Sequence, residues 1–200
     1  MTALLLVLRE PIYGSNPELT LNQKLGVFMV LLHYGKRELE TAFVHRFSSA
    51  TMPWINVFKN SFHYYVLFGF ATMFFYLSPD YTPPAWGTPA LYYTFTALFV
   101  VFEFLNLMTH IVLRNLRQPG TTERRIPHGW GFGLVSSANY LWESCAWIVF
   151  CIQAQLIGGY IFLAVSIVQM AIWAVKKHNR YKEEFVAYPE KRKAIFPCLL

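Results

Sequence analysis

Residues 90–113, ALYYTFTALFVVFEFLNLMTHIVL, decide the fold of this chain. Apart from Glu103, Asn106 and His110, the stretch consists of apolar, aromatic and threonine residues. A helix of this length can cross a hydrocarbon core that is about 30 Å thick. The stretch therefore predicts a membrane-spanning helix that carries three strongly polar side chains.

The composition of the whole chain has the same character as this stretch. Of 200 residues, 55% are hydrophobic and 14% are charged, whereas a soluble domain carries about a quarter charged residues. The composition therefore favours an all-α, polytopic membrane helical bundle.

Further apolar segments lie on both sides of residues 90–113. They cover residues 25–34, 61–77 and 136–175, and the last is too long for one crossing. The Gly158-Gly159 pair predicts a break there into a helical hairpin, which gives about five spans. We interpret 1–24 as the end of a truncated N-terminal span plus a polar loop, and 25–200 as one membrane domain with a basic C-terminal tail.

Basic residues gather in two places along the chain. Four lie within 114–125 and seven within 176–193. Basic residues that flank spans usually mark the cytoplasmic side, so the connector and the tail are predicted to be cytoplasmic. We expect no nucleic acid as a partner, because no soluble binding module accompanies the charge.

A polar stripe follows the helix that leads into the basic connector. Five side chains are spaced 3, 4, 4 and 3 residues apart, which places them within roughly 80° on one helix face: Glu103, Asn106, His110, Arg114 and Arg117. Polar groups inside a span normally face a bundle interior or a cavity. The stripe therefore predicts a polar pocket.

The segment after the stripe extends this pocket. Arg124 and Arg125 precede the turn GWGFG at 129–133, whose spacing differs from the dinucleotide-binding pattern GxGxxG and follows no strand. Asn139 and Glu143 then share one face of the next span, in surroundings that look apolar and free of histidine. A large anionic cofactor fits such a pocket, with Glu143 among its candidate ligands. No His/Asp/Glu spacing indicates a metal site.

Specific strings resemble a known family. FVHRFSSATMP at 43–53, LRNLRQPG at 113–120 and ANYLWE at 138–143 closely resemble the very-long-chain trans-2-enoyl-CoA reductases of the steroid 5-alpha-reductase superfamily. The resemblance implies an NADPH-dependent reductase of the endoplasmic reticulum membrane that performs the last step of fatty-acyl elongation. A long-chain 2-enoyl-CoA substrate and elongase-complex partners follow from the same resemblance.

The resemblance also implies roles for individual residues. Tyr140 matches the tyrosine regarded as catalytic in the enoyl branch, Tyr34 matches the tyrosine that binds the substrate carbonyl in the steroid branch, and Lys36 is a further catalytic candidate. Six residues match cofactor contacts of the superfamily: Asn106, Arg114, Arg117, Arg125, Asn139 and Tyr181.

Three other interpretations remain open from the sequence. The same hydride chemistry could reduce a steroid or polyprenyl enone. The chain could instead be a methyltransferase, because a related membrane family, the isoprenylcysteine methyltransferases, has paired glutamates near its C-terminus. Glu183 and Glu184 form such a pair here. An inactive paralogue that acts as a scaffold of the elongase complex is the third.

Overall fold

The computed structural model describes residues 1–46, 53–116 and 125–199. Within these ranges the regular elements are helices: α1 (Thr2–Val7), α2 (Arg9–Tyr13), α3 (Leu21–Leu39) with its π-helical continuation π1 (Glu40–Val44), α4 (Ile55–Ser61) with the π-helix π2 (Phe62–Phe74), α5 (Pro89–Leu116), α6 (Ala138–Ala154) and α7 (Ile157–Glu184). The only β-type pairing in the described ranges is an isolated parallel bridge between Val135 and Lys193. The predicted all-α class is confirmed.

Helix α5 matches the predicted span 90–113 closely. It begins at Pro89, a residue that suits the first helical position because its missing N–H would have no partner there. Its neighbour is α6, and the rings of Phe102 and Trp142 stack between the two helices with centroids 6.0 Å apart. The largest apolar core lies between α3, π2, α5 and α6 and contains the buried side chains of Phe68, Phe99 and Trp147.

Helix α3 is longer than the apolar segment 25–34 that predicted it. A capping box starts it: the Gln23 N–H donates to Thr20 Oγ1 at 3.2 Å and the Thr20 N–H donates to Gln23 Oε1 at 2.9 Å. The helical path then continues through π1 to Val44 and buries Glu40 against α5. One face of the charged stretch after residue 34 therefore packs in the bundle, while Leu39 and Phe43 in this stretch are exposed.

The predicted helical hairpin within 136–175 is confirmed, but its break lies just before the Gly158-Gly159 pair. Helix α6 ends at Ala154, Gln155 takes a left-handed conformation with φ 49°, and α7 begins at Ile157. Gly158 instead permits close helix packing, since a Cβ at this position would lie 1.7 Å from the carbonyl oxygen of Ala71 in π2. The glycine pair thus marks a helix contact and not the turn.

Two of the helices are long and apolar enough to cross a membrane. They are Pro89–Leu116 and Ile157–Glu184, each with 28 residues. The count of about five spans stays a prediction. The apolar segment 61–77 lies almost entirely in π2, which continues α4 without a break, and the first apolar segment forms the six-residue α1. The predicted loop 9–24 contains α2, whose buried Arg9 donates to Pro17 O at 2.7 Å and Leu77 O at 3.3 Å.

The helices run alternately between two ends of the bundle. At the end that we call the polar end lie the C-terminal parts of α3, α5 and α7 and the N-terminal part of α6, as the contacts Lys36–Asn106, Asn106–Asn139 and Ser136–His178 show. At the opposite end, the Asn22 amide donates to Gln153 O and the Tyr81 hydroxyl donates to Ala154 O at 2.9 Å. Burial raises the pKa of Tyr81, so this hydroxyl keeps the proton it donates.

Candidate active site

A cavity of about 1060 Å³ lies between α3, π2, α6 and α7. Its apolar wall includes Leu67, Phe68 and Phe162. Its polar wall lies toward the polar end and brings together four of the residues that the sequence predicted: Tyr34, Asn139, Tyr140 and Glu143. The cavity is therefore the candidate active site.

Tyr34 presents an unsatisfied hydroxyl in this cavity. Aromatic rings surround its side chain, with centroid distances of 5.5 Å to Phe68, 6.0 Å to Tyr64 and 6.1 Å to Trp147. The hydroxyl oxygen is buried and has no hydrogen-bond partner among the described residues. Because a buried hydroxyl without a partner costs free energy, this group is suited to bind a ligand oxygen.

Tyr140 lies in the first turn of α6 and also lines the cavity. Its ring packs 6.1 Å from that of Trp173 in α7. The start of α6 is held in place by the C-terminal tail, since the N–H groups of Ser136 and Ser137 donate to Lys193 O at 2.7 Å and Ala194 O at 3.0 Å. The tail thereby positions Tyr140.

Continuous with the polar wall is a network of ionisable side chains that we call the ion cluster, and His33, Arg37, His110 and Glu143 of this network also line the cavity. Its members, all within the described ranges, are His33, Lys36, Arg37, Glu40, Glu103, His110 and Glu143. His33 bridges two helices, with Nδ1 2.8 Å from Glu103 Oε1 and Nε2 3.4 Å from Glu143 Oε1. Lys36 Nζ lies 3.0 Å from Glu40 Oε1 and 3.1 Å from Glu103 Oε2. The cluster connects α3, π1, α5 and α6 at the depth of the cavity.

Glu40 is the most heavily paired carboxylate of the cluster. Burial by itself would raise its pKa, but the hydrogen bond of His110, together with the charge and hydrogen bond of Lys36, outweighs burial and lowers the pKa to about 2. Glu40, His45 and His110 each place one possible metal-ligand atom within 4.8 Å of the others. Lys36 and Arg37 already contact the oxygens of Glu40, and their positive charges disfavour a metal cation there, so we assign none.

Lys36 and Asn106 support the cavity from behind. Lys36 does not line it; the ammonium contacts Glu40 and Glu103 and donates to Asn106 Oδ1. The Asn106 amide donates in turn to Asn139 O at 2.9 Å and Glu143 Oε2 at 3.2 Å. Both residues therefore orient the wall residues Asn139 and Glu143.

The remaining predicted residues that the structure describes lie away from the cavity wall. Arg114 is in the last turn of α5, where its carbonyl accepts a bond from Arg46. Arg125 is exposed ahead of the glycine-rich turn, and Arg117 lies outside the described residues. Tyr181 is buried near the end of α7, with its ring 5.6 Å from that of Tyr188. Of the polar stripe, Glu103, Asn106 and His110 are buried as predicted.

Sequence reasoning missed His33, Arg37 and Glu40 of the ion cluster. The surroundings of Glu143 looked free of histidine, but His33 faces it. A weak signal was present, because His33, Lys36, Arg37 and Glu40 recur at helical spacing and can form a stripe like that of α5.

Comparison with known proteins gives consistent matches. Residues 50–200 match the model of the family described as 3-oxo-5-alpha-steroid 4-dehydrogenase. The chain is 44% identical over 185 residues to a Caenorhabditis elegans protein named "probable very-long-chain enoyl-CoA reductase". This match covers 88% of this chain and 59% of that protein. It is 42% identical over 190 residues to the very-long-chain enoyl-CoA reductase of Dictyostelium discoideum, and this match covers 94% of this chain and 62% of that protein.

A more distant match points to the same group. The chain is 32% identical over 186 residues to the trans-2,3-enoyl-CoA reductase-like protein of Mus musculus, with 88% of this chain and 50% of that protein covered. The chain thus spans half to three fifths of the length of these relatives. The resemblance that the sequence motifs indicated is confirmed.

Proposed function

Because the chain belongs to the 3-oxo-5-alpha-steroid 4-dehydrogenase family, we propose that it forms the reductase core of an enzyme that reduces the C2=C3 double bond of a trans-2-enoyl-CoA to the saturated acyl-CoA. The observation that carries the proposal is the unpartnered hydroxyl of Tyr34 in a cavity that also contains Tyr140. One phenol can polarise a thioester carbonyl while a second supplies a proton.

The residues of the polar wall fit a reduced nicotinamide cofactor. Asn139 Oδ1 is buried and has no partner among the described residues, and Glu143 offers a carboxylate beside it. Both are acceptors and suit the N–H groups of a carboxamide. Asn106 holds both in place, while Arg114, Arg117 and Arg125 on the basic connector are proposed to bind phosphates bidentately. Tyr181 is proposed to contact the cofactor from α7.

NADPH is the proposed cofactor, and when bound it supplies the hydride that C3 of the substrate receives. Tyr34 donates a hydrogen bond to the thioester oxygen, where negative charge develops, and its aromatic neighbours keep water away. Tyr140 transfers its proton to C2 as the general acid. Lys36 keeps Asn106 and the carboxylates of the ion cluster in place, so its role is proposed to be positional.

The cavity suits a long acyl chain. Its apolar wall continues from the two tyrosines along Val30, Leu67, Phe68, Phe162 and Val165. Burial of an acyl chain against such a wall contributes about 0.8 kcal/mol for each methylene group. This wall favours a long-chain substrate in the very-long-chain elongation pathway that we propose.

The cellular setting follows from the two long apolar helices and the basic charge. We propose a multi-pass protein of the endoplasmic reticulum membrane, with the connector and the C-terminal tail on the cytoplasmic side. Other members of a fatty-acid elongase complex are the proposed protein partners.

A steroid or polyprenyl enone is the second candidate substrate. The family model carries a steroid activity in its description, and the same tyrosine pair can polarise a ketone. The named relatives favour the thioester, because their printed names are enoyl-CoA reductases.

The deciding experiment is NADPH oxidation by the purified protein under anaerobic conditions. We expect oxidation with a long-chain trans-2-enoyl-CoA and none with a steroid enone. Oxidation of the steroid alone would select the second candidate. NADPH binding without turnover of either substrate would indicate a scaffold, and binding of S-adenosylmethionine in place of NADPH would indicate a methyltransferase.

A further inference from the structure

His33 is held between two carboxylates. Its Nδ1 lies 2.8 Å from Glu103 on α5, its Nε2 lies 3.4 Å from Glu143 on α6, and the side chain is 3% exposed. The Nδ1 contact is a hydrogen bond, and the Nε2 contact is an ion-pair distance. Two carboxylates this close favour the imidazolium form of the ring.

The charges of the ion cluster support this state. Glu40, Glu103 and Glu143 bring three negative charges, and Lys36 and Arg37 bring two positive charges, which leaves one negative charge. Uncompensated charge in a buried site is costly. One protonated histidine makes the cluster neutral.

His33 is the best placed of the three histidines at the cluster for this proton, since burial lowers the pKa of His45, which packs against His110. His110 has a carboxylate at Nδ1, but the guanidinium of Arg37 lies 3.4 Å from the same nitrogen and opposes a second positive charge. His33 has a carboxylate at each nitrogen. The ionisable side chains that surround it are Glu103, Glu143, Tyr34, Lys36 and Arg37, with Tyr64 beyond Tyr34.

We propose that His33 is the proton reserve of the reduction, and that it restores the proton of Tyr140 through Glu143. The inference rests on the proposed function. Glu143 follows Tyr140 by three residues on α6, so both side chains occupy one face of that helix and line the cavity. His33 also lines the cavity, but its proton reaches Tyr140 through Glu143 and not through the substrate.

The steps balance as follows. Hydride arrival at C3 brings an electron pair, and the π pair of C2=C3 moves onto the thioester as an enolate. The O–H bond of Tyr140 breaks as a C–H bond forms at C2, which leaves a phenolate. The Nε2 proton of His33 passes to Glu143 Oε1, and Glu143 passes a proton to the phenolate directly or through one water.

The charge changes also balance. His33 becomes neutral and keeps its Nδ1–H toward Glu103, so the ion cluster gains one negative charge. That charge balances the positive charge that oxidation leaves on the cofactor. Water restores the proton of His33 after product release.

The test separates the first turnover from later ones. In His33→Gln, Tyr140 still starts with its proton, so the first equivalent of NADPH is oxidised at nearly the normal rate. Later turnovers wait for the phenolate to regain a proton, and we expect a burst of one equivalent followed by a steady-state rate roughly tenfold or more below normal. Added imidazole should raise the steady-state rate, and His128→Gln, at an exposed site, should behave normally.

A second measurement uses the cofactor-free protein. Its infrared spectrum should contain an imidazolium band that His33→Gln lacks and His128→Gln keeps. An equal loss of rate in the first and later turnovers, or a spectrum unchanged by His33→Gln, would overturn the proposal. If the unaltered protein fails to oxidise NADPH with any enoyl-CoA, the proposed function itself fails, whatever the infrared spectrum shows.

Discussion

The ring of Tyr34 packs edge-on against Phe68, with centroids 5.5 Å apart, and this contact fixes the direction of a buried hydroxyl that has no partner among the described residues. Tyr34→Phe therefore removes no hydrogen bond within that part of the chain. We expect an unchanged or higher melting temperature, and a fall in kcat/KM of about 10²–10³-fold, because the oxygen of the transition state loses a donor.

Tyr76→Phe is the matched control for this change. The Tyr76 hydroxyl donates to Asn22 O at 2.7 Å and is fully buried, so its loss should lower the free energy of unfolding by about 1–3 kcal/mol. Thermal unfolding and NADPH oxidation measured on both variants distinguish the two roles. A stability loss in Tyr34→Phe equal to that in Tyr76→Phe would contradict a ligand-binding hydroxyl.

Tyr140→Phe should abolish proton transfer and leave cofactor binding intact. The ring keeps its packing against Trp173, while the acid is lost. We expect kcat to fall by about 10²–10⁴-fold, with an unchanged Kd for NADPH measured by fluorescence titration. Full turnover in this variant would remove Tyr140 from the mechanism.

Asn139→Ala should weaken cofactor binding with little effect on folding. Its Oδ1 has no partner in the described ranges, so truncation leaves no protein donor unpaired there. The loss of one hydrogen bond of about 1 kcal/mol predicts a Kd for NADPH that rises by several fold. An unchanged Kd would argue against the cofactor site proposed on this wall.

Gly158→Ala tests the packing of α7 against π2. The new Cβ would lie 1.7 Å from Ala71 O, so the helices must separate, and we expect a loss of about 1–3 kcal/mol in unfolding free energy. Gly35→Ala meets nothing within 4 Å inside α3 and should stabilise the protein by up to about 1 kcal/mol. Opposite shifts in melting temperature would confirm both expectations; equal shifts would refute the close contact.

The depressed pKa of Glu40 predicts a specific pH dependence. Its pKa is about 2 in the folded protein and about 4.5 without these contacts, so its contribution to stability is complete above about pH 4.5 and is lost as the pH falls toward 2. Glu40→Gln lacks this contribution. The difference in melting temperature between the unaltered protein and Glu40→Gln should therefore shrink between about pH 5 and about pH 3. A constant difference would contradict a lowered pKa of Glu40.

Sequence reasoning succeeded where the information is local. The apolar run and the stripe of Glu103, Asn106 and His110 predicted α5 and its buried polar face, because both depend on helical periodicity alone. The neighbouring residues Asn139 and Tyr140 likewise lie together in the first turn of α6, because they are adjacent in the sequence.

Tertiary contacts explain the failures. His33 and Glu103 are 70 residues apart, and no spacing rule predicts that they meet. The glycine pair at 158–159 was interpreted as a break because a sequence does not show that Ala71 packs against it. Lys36 stays a catalytic candidate, and the sequence does not show that its partners Glu40, Glu103 and Asn106 come from two other elements.

The bonds from Ser136 and Ser137 to Lys193 and Ala194 also constrain when the cavity can form during synthesis. Residue 194 leaves the ribosome long after α3, π2 and α5 have emerged, so the start of α6 lacks its tail contacts until then. The wall that holds Asn139 and Tyr140 is therefore completed late in biogenesis. A nascent chain stalled before residue 193 should already contain the apolar part of the cavity and still lack a fixed Tyr140.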